Sequence, residues 1–243
     1  MDLKTQLDES AKLFDVSQDF DSVMAHYDVR EITPNLKGRT LLELGSNAGT
    51  VTQQLLLLAD ELDIVEGSKV AIERSQRELG SDVGNVTFHY SLWEEFAPTK
   101  KYTDIIFVRG LEHMLDPVDF LAKIRQWLTP GGRVHIIVPN AYSLHRMIMV
   151  AQGHLKDLYE LRDRDFQVGH QRVYDGKELT KHVKESGFTI KECRGFFLKQ
   201  VSTSQMGQIA MRPDHPFVTA CYEAGKILPD YGTQLYLIAE NHA

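Results

Sequence analysis

The chain has 243 residues, 42% of them apolar, with two cysteines and a formal net charge of −7. That length bounds it to one domain, or one domain with a cap, and supplies enough apolar residues for a large core. The acidic balance argues against generic binding to nucleic acid or to an anionic membrane, two cysteines cannot staple a chain of this size, and runs such as "LLLLA" and "VHIIVP" are too short to cross a bilayer. Asp2, Lys4, Asp8 and Glu9 follow Met1, so no signal-peptide core is read there and a cytoplasmic location is expected. Residues 1–33 are polar and helix-prone, and Phe14, Phe20, Val23, Met24 and Tyr27 are spaced to cover a groove rather than build a core. Pro34 and Gly38 punctuate before a first strand at about 40–44, and a helix follows at about 49–59. "ELDIVEGS" is a second strand ending at Glu66, and "KVAIERSQREL" a helix with Val70, Ala71 and Ile72 on one side. "VTFHYS" is a third strand, and the apolar block of "YTDIIFVRG" suits a fourth that is buried on both faces. Asp116-Pro117 starts the helix "PVDFLAKIRQWL", "TPGG" (Thr129 to Gly132) ends it, and "RVHIIVPN" is a fifth strand.

After Pro139 the pattern changes. Residues 141–166 read as helical and rich in charge and histidine, 168–175 as short and β-like, and "GKELTKHVKESGF" as a helix closed by Gly187. "TIKECRGFFLK" and "YLIAEN" are the last two strands, with an insert at about 200–230 between them. The alternation predicts an α/β fold: a mostly parallel sheet with helices on both faces, closed at one edge by an antiparallel hairpin. No Gly/Ser linker divides the chain, so the insertions decorate a single domain.

Four stretches carry chemistry. In "TLLELGSNAGTVTQQLL" a strand ends in a turn of small residues and a helix begins, the layout of a nucleotide-binding junction. Gly45 allows the tight turn, Ser46 lies within it, and Gly49 lets the backbone approach a ligand. Asn47 stands where a dinucleotide fingerprint has its second glycine, which counts against NAD or FAD. Glu43, just before the turn, would repel a pyrophosphate but could accept from an ammonium group. Glu66 lies about 20 residues on, at the spacing of the acid that accepts from a ribose diol, and Gly67-Ser68 fit a turn capping the next helix. In "SLWEEF", which Ser91 opens, Leu92 and Trp93 could flank a ring, with a polar or backbone partner for its amino group, although a Trp after a strand also suits a core. "VRGLEHMLDP" brings Arg109, Glu112 and His113 to the carboxyl end of the fourth strand, where ligands of open α/β sheets lie. His113 is then a general base or a hydrogen-bond donor to substrate, or a loop-orienting group. No carboxylate cluster stands out beyond that strand, so no metal site is expected.

Taken together, "LLELGSNAG", "IVEGS", "SLWEEF", "YTDIIFVRGLEHMLDP" and "LTPGGRVHIIVPN" resemble the class I S-adenosylmethionine-dependent methyltransferases over about residues 40–140. The resemblance implies a Rossmann-like seven-stranded sheet with an antiparallel C-terminal hairpin, and S-adenosyl-L-methionine as cofactor, with S-adenosyl-L-homocysteine as product. It implies that the Gly45–Gly49 turn holds the methionine portion, Glu66 the ribose hydroxyls and Leu92-Trp93 the adenine, with Arg109 and Gly110 backing the sulfonium. Asn47 replaces the usual middle glycine, and Ser91 stands where many members place Asp. The organisation becomes one methyltransferase domain over 1–243: a helical cap at 1–35, a cofactor-binding half at 36–140, and an acceptor-binding, sheet-completing half at 141–243. If the N-terminal segment folds over the cofactor, Arg30 could pair with the methionine carboxylate and Tyr27 could line the transfer channel; the plain alternative is a solvated helix charge.

The acceptor is read from the last hundred residues. In a β-like "GHQRVYD", His170, Arg172 and Tyr174 share one face by period two, and "AYSLHRM" adds Tyr142, His145 and Arg146 near the same mouth. Such residues suit an anionic or polyhydroxylated acceptor, because Arg can fork onto carboxylate or phosphate. The plain alternative pairs Arg172 with Asp163 or Asp165 and packs Tyr174. "GHQRVY" and the C-terminal tail are similar to members from sugar, capsule and natural-product pathways. The expected activity is methylation of a small polar acceptor, oxygen favoured over nitrogen, with His113 or His170 as base, no nucleic-acid or membrane partner, and no expectation for oligomeric state. The competing readings are a catalytically inactive nucleoside-binding protein of the same fold and, less favoured, a nicotinamide-dependent oxidoreductase.

Overall fold

The computed structural model describes residues 2–13, 19–46, 49–80 and 84–242. Its centre is a seven-stranded sheet in the order β3-β2-β1-β4-β5-β7-β6. The strands are β1 (Thr40–Leu44), β2 (Glu61–Glu66), β3 (Val86–Tyr90), β4 (Tyr102–Val108), β5 (Leu128–Pro139), β6 (Thr189–Phe196) and β7 (Gln234–Glu240). The first five pair in parallel, while β7 runs antiparallel to both β5 and β6. The hairpin expected of the last two strands is therefore present, with its long insert carrying helices α9 (Thr203–Ile209) and α10 (Pro216–Ile227).

Period two explains how short apolar runs build two cores. Ile106 and Ile137 face one side of the sheet, with helices α2 (Phe20–Ile32), α3 (Thr50–Leu56) and α10. Their neighbours Ile105, Phe107, Ile136 and Val138 face the other, with α5 (Pro117–Arg125) and α8 (Gly176–Glu185). Asp116 caps α5 by accepting from Asp119 N–H at 3.0 Å, and Asp175 caps α8 from Glu178 N–H at 2.7 Å.

Three expectations change. The second N-terminal segment does not merely cover a groove: Phe20, Val23, Met24 and Tyr27 of α2 lie wholly within the core. Helix α2 is clasped on several sides, so even its Asp28 and Glu31 are buried, Glu31 accepting from the Tyr222 hydroxyl at 2.7 Å. Phe14 lies outside the described residues. "TPGG" is part of β5 rather than the end of a helix. Helix α5 stops at Arg125, and Gly131, at φ +72°, donates to the Asn241 carbonyl at 2.7 Å as the strand pairing shifts register. Residues 141–166 are helical only at α6 (Leu144–Ala151) and α7 (Asp163–Gln167). The intervening loop hangs on Arg146, which donates to the Leu158 and Glu160 carbonyls at 2.9 and 2.5 Å.

Helix α1 (Leu3–Leu13) has no buried residue and lies against α4 (Lys69–Leu79). Asp8 accepts from the Ser68 hydroxyl at 2.7 Å, and Arg74 donates to the Ala11 carbonyl at 2.9 Å. No helix among the described residues is long and apolar enough to cross a membrane.

Candidate active site

The carboxyl ends of β1, β2, β4 and β5 meet in one corner of the sheet. Gly45 leaves β1 at φ +90° and donates to the Val65 carbonyl at 2.9 Å. A Cβ there would stand 2.9 Å from Trp93 Cζ2, so only glycine fits above the indole. Trp93 is pinned by its own N–H to the Val65 carbonyl at 3.1 Å and meets the edge of Phe107. It therefore floors the glycine turn. Gly49, at φ +80°, closes the turn by donating to the Ser46 carbonyl at 2.7 Å. Asn47 lies outside the described residues.

Two buried carboxylates flank the turn. Glu66 is gripped by backbone donors, with Ser46 N–H 3.0 Å from one oxygen and Ser68 N–H 2.9 Å from the other. This fixes it between the turns that follow β1 and β2. Glu43 accepts from the Thr52 hydroxyl at 2.8 Å. Burial pushes its carboxyl up to about 8, the Thr52 bond opposes this, and the Glu66 charge adds to it. A carboxyl so placed is short of a cation. At the rim, Leu92 Cδ2 and Leu7 Cδ1 stand 3.2 and 2.6 Å from the position of a Gly67 Cβ, so Gly67 is where cap and rim close together. Ser91 spends its hydroxyl on the Leu92 carbonyl at 2.9 Å and its N–H on the Glu66 carbonyl at 3.2 Å. Ser68 caps α4 through Ala71 N–H at 3.2 Å.

The turn after β4 is the other half of the site. Arg109 is held at φ +51°, a strained value for a side-chain-bearing residue, by an N–H bond to the Ile137 carbonyl at 2.7 Å. Its guanidinium pairs with buried Asp28 of α2 at 2.7 Å. Burial pushes Asp28 up to about 6 against the pull of Arg109. Gly110 follows, and a Cβ on it would overlap the ring of Phe107, which is itself fully buried. Gly110→Ala is expected to cost about 1–3 kcal/mol by overpacking, read as a drop in melting temperature; an unchanged melt would contradict the contact.

Glu112 and His113 come next, and the segment expected to be a strand meets them. It forms no strand: one isolated bridge joins Tyr174 to Asn140, and Gly169 turns at φ +85°. Three bonds staple it to the turn after β4. Gln171 N–H donates to the Glu112 carbonyl at 2.9 Å, and Arg172 donates to the Met114 and Leu115 carbonyls at 2.6 and 3.3 Å. Period two therefore fails. His170 packs edge-on against His113 with ring centres 4.7 Å apart, Arg172 is committed to backbone, and Tyr174 is buried with its hydroxyl 3.2 Å from His182 Nδ1.

His170 Nδ1 stands 3.3 Å from Asp165 Oδ1 on α7, and its Nε2 stands 4.0 Å from Glu112 Oε1. Burial works to raise Asp165, but bonds from His170 and from Arg162 N–H outweigh it and hold the carboxyl at about 2. Burial lifts Glu112 to about 7 against the pull of His170 and Arg109. Burial, aided by His170, pushes His113 down to about 4. Sequence reasoning gave Glu112 only a route to the site and Asp165 only a possible pairing with Arg172. The acid-histidine pair after a strand end was the available signal for Glu112.

The remaining expected contacts are placed elsewhere. Arg30 is exposed, 3.7 Å from Glu223 of α10 and over the Tyr222 ring, rather than at the glycine turn. Tyr27 donates to the Pro213 carbonyl at 2.6 Å and packs on Phe197 and Tyr222. Arg146 supports its loop as described. His145 is pushed down to about 2 by burial and by Lys199, Arg146 and Arg162. Tyr142 is exposed, edge-on to Tyr159. Lys199, which sequence reasoning did not single out, is buried, donates to Thr203 Oγ1 at 2.9 Å and is lowered to about 8, chiefly by burial.

A family model for the methyltransferase domain matches residues 21–192, well over half of the chain. The chain belongs to the methyltransferase-domain family. Among curated proteins, this methyltransferase is 27% identical to malonyl-[acyl-carrier protein] O-methyltransferase of Halalkalibacterium halodurans, over 90% of the chain and 86% of the relative. It is 23% identical to the mitochondrial ubiquinone biosynthesis O-methyltransferase of Schizosaccharomyces pombe, over 65% of the chain and 58% of that protein. Among solved structures, the N-methyltransferase NodS of Bradyrhizobium japonicum with S-adenosyl-L-homocysteine shares the fold. It matches at TM-score 0.57 and 13% identity, over 90% of this chain and 86% of that one. The methyl donor of this methyltransferase is S-adenosyl-L-methionine. The residues present fit it: a turn with no room for a Cβ at Gly45, a buried carboxyl at Glu43 in want of a cation, and a carboxylate gripped at the end of β2.

Proposed function

We propose that this methyltransferase transfers methyl to a hydroxyl of a small polar acceptor, with the hydroxyl seated at the His113–His170 corner. The observation that carries the reading is the Asp165–His170–His113 arrangement at the carboxyl end of β4, where acceptor and donor would meet. S-adenosyl-L-methionine supplies the methyl group on a sulfonium and leaves as S-adenosyl-L-homocysteine. Glu43 receives the ammonium of the methionine portion, Glu66 the ribose diol, and Leu92 borders the base. A hydroxyl must lose its proton as it becomes an ether, whereas an amine needs only to arrive unprotonated. Asp165 orients the His170 ring through Nδ1, leaving Nε2 directed toward Glu112 and available to take that proton. The cap helix α1 and the clasped α2 exclude water and align the partners, which supplies much of the acceleration in such displacements.

The test is S-adenosyl-L-homocysteine release with matched acceptors that differ only in hydroxyl against amine. Faster turnover of the hydroxyl series, abolished by O-alkylation of the acceptor, is expected. Turnover confined to the amine series would overturn the oxygen preference.

A further inference from the structure

The turn after β4 and the stapled loop at 169–172 bring together three side chains of metal-ligating type. One donor atom each from Glu112, His113 and His170 lies within 4.8 Å of the other two. Glu112 is the decisive member. Its side chain is 1% exposed, and neither carboxylate oxygen has a hydrogen-bond partner. Burying a carboxylate without a donor is costly, and natural structures offset that with a partner or a cation. The nearby guanidinium of Arg109 pairs with Asp28 at 2.7 Å and pulls on Glu112 electrostatically, but it makes no hydrogen bond to either Glu112 oxygen, even though its Nη1 has no partner.

The surroundings are those of a ligand set. His170 offers Nε2 toward Glu112 while Nδ1 is engaged by Asp165, the carboxylate–histidine arrangement that fixes ring orientation and strengthens a ligating nitrogen. His113 is partly buried and held edge-on to His170, with ring centres 4.7 Å apart. Bonds of about 2.1 Å to a tetrahedral ion place donor atoms roughly 3.4 Å apart. From the 4.8 Å bound the cluster would contract by up to about 1.4 Å to reach that, within the range of side-chain rotation. Two imidazoles with one carboxylate suit a first-row transition ion better than calcium or magnesium, which take mainly oxygen.

We propose that Glu112, His113 and His170 form a binding site for one divalent transition-metal ion, with Asp165 orienting His170 from behind. Three protein ligands leave positions open toward the acceptor. Positive charge there favours the ionised form of an acceptor hydroxyl, so with the ion bound the proton departs to solvent, and the base role given to His170 above belongs to the chain without the ion. That consequence rests on the reading of the acceptor site given above; the binding of the ion does not.

Cobalt(II) chloride, titrated into the EDTA-stripped, untagged full chain, tests the binding. One equivalent is expected to bind with the visible absorption of a low-coordinate nitrogen–oxygen site. His170→Ala and His113→Ala are expected to lose that spectrum, Glu112→Gln to weaken binding at least about tenfold, and Asp165→Asn to weaken it about tenfold. Each variant is compared only where its melting curve and circular dichroism match the parent. No saturable uptake by the parent chain, or the same spectrum in folded His170→Ala, overturns the site. Transfer by the stripped enzyme at the rate of the cobalt-loaded enzyme would overturn the metal's role while leaving the oxygen-transfer reading standing. Transfer to amines alone would overturn that reading while leaving the cobalt result untouched.

Discussion

His170→Ala is expected to lower kcat by about two to four orders of magnitude, the range for losing a positioned proton-transfer group. S-adenosyl-L-homocysteine affinity should stay within about twofold, since the residues proposed to hold it sit on β1, β2 and the turns behind them. His170 is brought to the site by a loop 57 positions away in sequence from His113, and the three bonds from Gln171 and Arg172 that hold this loop do not pass through the imidazole. The substitution therefore removes the ring without releasing the loop. Asp165→Asn probes the group behind it. Asp165 Oδ2 accepts Arg162 N–H at 2.8 Å, a bond an asparagine carbonyl can keep, so α7 should persist while the charge facing His170 is lost. As a positioning residue it should lower kcat about tenfold with little change in acceptor KM, and Asp165→Glu should recover part of the loss. Near-normal turnover in His170→Ala would remove this histidine from the chemistry.

The contrast between the halves of the site shows what a sequence can and cannot carry. The placement of the glycine turn and its flanking carboxylates was legible because its logic is local. Gly45, Glu43 and Glu66 sit at fixed offsets from strand ends, and the period-two runs of β1, β4 and β5 place those ends side by side. The acceptor half depends on long-range contacts with no such rule. "GHQRVYD" looks like a strand by alternation, yet its backbone bonds go to Asp165 and Glu112, and Gly169 turns it, so His170 meets His113 and Asp165 while Arg172 lies over the Tyr174 ring and is committed to the Met114 and Leu115 carbonyls. Helix α2 was misjudged for a related reason. A helix apolar on several faces reads as loosely amphipathic, and only the packing of α3, α9 and α10 around it shows that it is core. Arginine was the least legible residue type. Arg146 and Arg172 look like anion receptors, but each donates to carbonyls of an irregular loop that has few backbone partners of its own.

Glu43→Gln is expected to stabilise the ligand-free protein and weaken its hold on the cofactor, because one buried charge underlies both properties. The folded-state carboxyl is raised to about 8 from 4.5, chiefly by burial. Below about pH 4.5 both folded and unfolded chains are protonated there and the group imposes no penalty. Between 4.5 and about 8 the unfolded chain ionises and the folded one resists, so stability falls as pH rises, and above 8 the loss levels off. At about 1.4 kcal/mol per unit, the loss is at most ~5 kcal/mol. A glutamine keeps the acceptor for Thr52 and cannot ionise. Its melting temperature should exceed that of the parent by several degrees at pH 8.5, at about 2–4 °C per kcal/mol, and match it near pH 5. The sign reverses when ligand is added. If Glu43 receives the methionine ammonium, the variant should bind S-adenosyl-L-homocysteine at least about tenfold more weakly, since removing one partner of a buried charge pair is costly. Stabilisation without any loss of affinity would separate Glu43 from the cofactor and make it a purely internal carboxyl. Loss of both would mean that the ionised form already has a partner in the free protein. The expected combination, a more stable fold with a poorer site, is the pattern of an ionisable residue kept for its ligand at the expense of the scaffold.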